Sequence, residues 1–224
     1  MLRKLLTTLA AAVLTVLAFS PAAQAATGPL RAITVGNPAL PDGAYPVTLA
    51  NKGPITVTMG SIPAGCTSAT GSGYVNSSNT SAPNPYLVIT STTFTGCTGP
   101  LGISVAINQV CDLVVSWDLV GGALPTVDDL FTDTVDGTLA VNNCLVVDGP
   151  GCDLTVNNSV DADFKEAIKS TTGTTTVQDL VISGPGLTAD NVVGCFGMVP
   201  PNASINFNLT FNVTSANGPI NFIP

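Results

Sequence analysis

The residues able to do chemistry in this chain are nearly all carboxylates. Asp128, Asp129, Asp133 and Asp136 fall together in "TVDDLFTDTVDG", and Asp118 lies just upstream. Acids this dense could supply oxygens to Ca²⁺, which takes about six to eight of them. The same groups could act as the acid and base of a glycosidase. The Asp-x-Asp-x-Asp-Gly order of an EF-hand loop is absent, so a solvated acidic loop is the favoured reading. No catalytic residue is assigned, and calcium is the one cofactor kept open, with Asp128, Asp129, Asp133 and Asp136 as weak candidate ligands.

Other chemistries are excluded by residue type. There is no histidine, which removes Ser-His-Asp and Cys-His nucleophiles and every histidine metal site. The Gly-Pro-Gly stretches lack the Gly-Lys spacing and the following helix of a phosphate loop. The six cysteines are Cys66, Cys97, Cys111, Cys144, Cys152 and Cys195, and none forms a Cys-x-x-Cys pair. An even count in an exported chain points to disulfides. About 15 pairings are open for six cysteines. The expectation is the sequential one, Cys66 with Cys97, Cys111 with Cys144, and Cys152 with Cys195.

Export is read from the N-terminus. Arg3 and Lys4 precede an apolar run from Leu5 to Phe19, and Ala23-Gln24-Ala25 offers a small-x-small cleavage pattern. This is a secretory signal peptide over residues 1–25, too short for a membrane helix, which needs ~20 apolar residues. Residues 26–224 form the mature β domain, with no later segment apolar enough for a transmembrane helix. Loss of Arg3 and Lys4 moves the net charge from −8 to −10. Nucleic acid is therefore an unsuitable partner, because phosphate binding needs a basic patch. The expected partner is an extracellular or envelope ligand of unknown kind.

The elements that would position these residues are strands. "PITVTMGSI" alternates Ile55, Val57 and Met59 with Thr56 and Thr58. "LGISVAINQ" alternates Leu101, Ile103, Val105 and Ile107 with small or polar residues. "CDLVVSWDL" places Cys111, Leu113, Val115, Trp117 and Leu119 on one face, so Trp117 reads as core. The clearest case is residues 203–215, where Ile205, Phe207, Leu209, Phe211 and Val213 alternate with Asn206, Asn208, Thr210 and Asn212. Gly- and Pro-rich turns separate such runs about every ten residues, the pattern of an antiparallel sandwich or barrel. One short helix is expected at "SVDADFKEAIKS", where Val160, Phe164, Ala167 and Ile168 fall at helical spacing, with Asp161 and Asp163 early and Lys169 late. Residues 67–85, rich in Ser, Thr, Asn and Gly, are expected to form a long exposed loop. "DGPGCDLTVNN" and "SGPGLTADNVV" share a Gly-Pro-Gly turn followed by a strand-like run, which reads as two similar hairpins or as two good turns.

The segments "TSTTFTGCTGPLGISV", "VDGPGCDLTV" and "LTADNVVGCFGM" resemble uncharacterised small secreted β-rich proteins of actinobacteria, over residues 55–224. A more distant likeness is to the alkane-oxidation activator family of pseudomonads. The resemblance implies turns and disulfides and supplies no catalytic residues. Taken together, the chain is expected to be an all-β antiparallel sandwich, Ig-like or jelly-roll-like. Its expected role is non-enzymatic, secreted or attached to the cell envelope, for structure, adhesion or binding. The alternatives are an outer-membrane or mycomembrane β-barrel and a hydrolase that uses carboxylates alone. The membrane barrel is disfavoured because aromatics are only 5% of the chain, too few for two girdles.

Overall fold

The alternating runs fold as strands that pair with their sequence neighbours. The computed structural model describes residues 27–36, 38–118, 126–128, 132–169 and 174–223. In chain order the strands are β1 (Thr27–Pro29), β2 (Ala32–Val35), β3 (Gly43–Asn51), β4 (Ile55–Met59), β5 (Ile62–Cys66), β6 (Ser68–Ser77), β7 (Leu87–Thr95), β8 (Ala106–Gln109), β9 (Leu113–Trp117), β10 (Thr126–Asp128), β11 (Thr132–Val135), β12 (Gly137–Ala140), β13 (Leu145–Gly149), β14 (Cys152–Lys169), β15 (Thr174–Gly194), β16 (Ala203–Thr214) and β17 (Ile220–Ile223). Among the described residues there is no α-helix, only 3-10 turns at Pro100–Gly102 and Cys195–Gly197.

The main sheet closes on itself as an eight-stave antiparallel barrel. Several staves are broken in two. β3 and β4 run in line, as do β5 and β6, β8 and β9, and β11 to β13; β7, β14, β15 and β16 complete the ring. Each stave pairs with the next in sequence. The ring is closed by β16, which pairs β15 on one side and both β3 and β4 on the other. All-β is therefore correct, and the sandwich is replaced by a barrel. Alternation marks a strand with one buried face but does not say whether that face meets a second sheet or the inside of a closed one. Closure here rests on Phe211↔Asn51 and Phe207↔Val57, partners far apart in the chain.

Three further expectations are corrected. The segment read as a helix is the middle of β14. Val160, Ala162 and Phe164 are buried, while Asp161 and Lys165 are exposed. The window fits both periods, and pairing with β11, β12 and β15 on its two sides decides for the strand. The expected loop over residues 67–85 is largely β6, whose inward positions are Ala69, Gly71, Gly73 and Val75. Small residues there hid the apolar face; a Cβ at Gly73 would collide with the Val88 carbonyl. Finally, Gly184-Pro185-Gly186 is no hairpin turn. It is a bulge inside β15, with a register shift between Pro185 and Leu187 and Gly186 at φ +153°.

The three disulfides join Cys66 to Cys97, Cys111 to Cys144 and Cys152 to Cys195, the sequential pairing. They tie the second stave to the third, the fourth to the fifth and the sixth to the seventh. Cys111, expected inward, is exposed at the break between β8 and β9. At the closing seam, Lys52 reaches over β16 to Asp179 with N···O 2.8 Å, and the Thr48 and Thr214 hydroxyls pair at 2.7 Å.

The two ends of the barrel differ. One is plugged by β2 paired with the C-terminal β17. Beneath this plug Tyr86 stacks on Trp117 at 3.7 Å between centroids, with Phe222 edge-on to both rings. Trp117 is buried, as expected, and its indole N–H donates to the Pro83 carbonyl at 2.8 Å. The other end is formed by the turns between β4 and β5, β7 and β8, β13 and β14, and β15 and β16.

Candidate functional site

The acidic cluster is only partly brought together. Asp128 pairs with Thr27 through β10, and Asp133 stands opposite Glu166 in β11; for both, the backbone alone is described. Asp129 lies outside the described residues. Asp136 is exposed at the join of β11 and β12. Its neighbours come from other staves. Asp163 sits on β14, and its carboxyl is held above the usual range first by burial and then by the charge of Asp136, with Asp161 adding to it. The Gly137 backbone N–H and Lys165 oppose the shift. Asp118 accepts a hydrogen bond from the Thr138 hydroxyl. These carboxylates lie on the outer wall. Among the described residues no group of three His, Cys, Asp or Glu side chains is placed to hold a metal ion.

Below the same wall, on the inside, the Tyr86 hydroxyl is fully buried and has no hydrogen-bond partner among the described residues. Burial, followed by the charges of Asp163 and Asp118, pushes its pKa far above that of a free tyrosine. It stays a neutral phenol at any physiological pH.

The barrel interior is mostly apolar; towards the plugged end it also holds the Tyr86 hydroxyl and Gln178, whose amide donates to the Ile220 carbonyl at 2.7 Å. One void inside the barrel measures about 40 Å³ and is lined by side chains such as Val57, Met59, Leu145, Val156, Leu187 and Phe207. A second void of about 30 Å³ shares Val57, Met59, Ile107 and Val147 with the first. Engineered apolar cavities that admit benzene are about 150 Å³. Neither void would admit such a guest, and no polar group lines either. The outer wall is the reverse. Thr48, Thr56, Ser72, Ser91, Thr93, Asn206 and Asn208 all face water.

The charges on that wall are segregated. No Asp, Glu, Lys or Arg occurs between Lys52 and Asp112, and none after Asp190. Strands β4 to β9 and β16 contain no charged residue and form a side of hydroxyls and amides, with the exposed Asp112 at the break between β8 and β9. Strands β11 to β15 carry most of the acids. A cleft on the uncharged side, lined by Pro46, Thr48, Ser72, Thr90, Thr214 and Ser215, follows the bulge between Ser72 and Gly73.

The unplugged end has the most unusual surface. Leu101, assigned inward from its alternation, is 80% exposed. It sits in the Pro100–Gly102 turn at φ 60°, ψ 17°. Phe196 is 57% exposed at φ 53°, ψ 22°, and Val193 is 64% exposed. Left-handed backbone costs a non-glycine residue about 1–2 kcal/mol. The fold enforces it here: Gly194 has φ +77°, a Cβ on it would strike the Gly151 carbonyl, and the Cys152–Cys195 bond clamps the same corner. Phe196 then lies over Gly151, whose added Cβ would touch its ring at 3.6 Å. Reading "LGISVAINQ" as one strand missed this end. The Pro100 and Gly102 that flank Leu101 were the available signal of a turn.

Comparison with protein-family models, with curated proteins and with solved structures found no match.

Proposed function

We propose that the chain is an exported, non-enzymatic barrel that acts outside the cytoplasm, in the medium or on the cell envelope, by binding through its surface. The observation that carries this reading is the polarity of the wall. The interior is mostly apolar, and the outside is polar, with hydroxyls and amides on one side and carboxylates on the other. A transmembrane barrel needs the opposite, an apolar band facing outward. Three disulfides support an oxidising compartment. The candidate signal peptide lies outside the described residues and agrees with that placement. The carboxylates at Asp136, Asp161 and Asp163 stand on the convex outer wall, which argues against the hydrolase reading. The test is fractionation of producing cells followed by N-terminal sequencing. The expected result is protein in the medium or a salt wash of the envelope, beginning at Ala26. Recovery in the cytoplasm, or only in a detergent extract, overturns the reading.

A further inference from the structure

We infer that the unplugged end of the barrel is a docking tip for an uncharged lipid surface, a partner for the extracellular binding role proposed above, on which the inference rests. Four turns make this end. Their order around the rim is that of the staves, so the turn bearing Leu101 and the turn bearing Phe196 flank the Gly149–Gly151 turn. Val105 packs toward Gly149 on one side, and Phe196 covers Gly151 on the other. Leu101, Phe196 and Val193 therefore project from one rim, with Pro150, Pro200 and Pro201 exposed beside them.

Two features say that this display is built. Both Leu101 and Phe196 hold left-handed backbone, where Gly or Asn would sit with less strain. Their surroundings hold these residues in a costly conformation that leaves the apolar side chains in water, and such strain clusters at ligand contacts. The disulfide at Cys152–Cys195 and the β13–β14 turn keep the rim rigid, so little ordering is lost on docking.

Charge selects the kind of surface. Residues 97–105, 149–151 and 191–202 contain no Asp, Glu, Lys or Arg. The nearest carboxylates are Asp148 and Asp153, paired with each other one step behind the turn and exposed, and Asp190 further back. With a net charge of −8 for the whole chain, an anionic surface is repelled and no basic patch is present to attract one. Apolar side chains on a charge-free rim ahead of acidic flanks suit the interface of a neutral bilayer, where insertion removes their apolar area from water.

The experiment is co-sedimentation of the mature, oxidised protein with phosphatidylcholine vesicles and with phosphatidylglycerol vesicles, beside Leu101→Asn/Phe196→Asn. Binding to phosphatidylcholine, weaker binding to phosphatidylglycerol, and a loss of at least tenfold in the double variant are expected. The variant's melting temperature should equal or exceed the parent's, because both substitutions relieve strain; a simply misfolded variant would melt lower. Should that variant melt lower, Val193→Ser, on ordinary strand backbone, carries the same test. Absence of binding to phosphatidylcholine overturns the inference, as does undiminished binding by the variants. So does a concentration-dependent dimer in sedimentation velocity that the double variant abolishes, since the rim would then face a second copy. Failure here with protein found outside the cell sinks only the docking tip. Vesicle binding by a protein found in the cytoplasm sinks only the extracellular role.

Discussion

Two side chains near the barrel wall carry testable costs. The Tyr86 hydroxyl is buried without a partner among the described residues, and a buried unsatisfied polar group costs about 1–3 kcal/mol. Tyr86→Phe keeps the stacked ring and removes that cost. Chemical denaturation should show the variant as stable as the parent or more so, by up to about 1 kcal/mol; a clear loss would mean the hydroxyl has a partner. Asp163 follows from its raised pKa. A carboxyl that binds its proton more tightly when folded destabilises the fold once ionised. The deficit develops as pH rises from the ordinary aspartate range through the raised value, and is absent below it. Asp163→Asn should therefore melt higher than the parent at pH 7, and the difference should vanish below about pH 4. An equal difference at both pH values would refute the charge argument. The shift of Asp163 was not visible in the sequence, because Asp136, the carboxylate that raises it most, comes from another stave.

At the scale of elements, the alternating strands were legible wherever inward positions held large apolar residues, as in β4, β9 and β16. They were obscured in β6, where Ala and Gly fill the inward positions, and in β14, where Val160 and Phe164 satisfy a helical spacing as well as an alternating one. Phe164 decides between those readings. It is fully buried and meets the rings of Tyr86 and Phe222. Phe164→Ala should cost about 3–5 kcal/mol, read as a lowered denaturation midpoint; a change under about 1 kcal/mol would place it on a solvated helix. The disulfides act between staves in the same way. Each closes a loop of 31 to 43 residues, worth roughly 3–4 kcal/mol in the chain-entropy model. Full reduction should lower the melting temperature by tens of degrees, and Cys152→Ser should destabilise far more than Asp128→Asn. A reduced protein that melts within a few degrees of the oxidised one would show a self-sufficient barrel.

For the whole molecule, closure was the feature least open to a reader of the chain. Closure depends on β16 meeting β3 and β4, a pairing that no local pattern encodes. The apolar rim was hidden because Leu101 continues an alternation that breaks off at a turn. The greasy faces of the staves look inward, and of the five large apolar side chains exposed among the described residues three, Leu101, Val193 and Phe196, gather at the rim, with Val110 at the break between β8 and β9 and Ile223 on β17. Methyl NMR of Ile-, Leu- and Val-labelled mature protein with a water-soluble paramagnetic agent reads this directly. The methyls of Ile205, Leu209 and Val213 should keep their intensity, while those of Leu101 and Val193 are broadened. Broadening of the β16 methyls, or protection of Leu101, would contradict it.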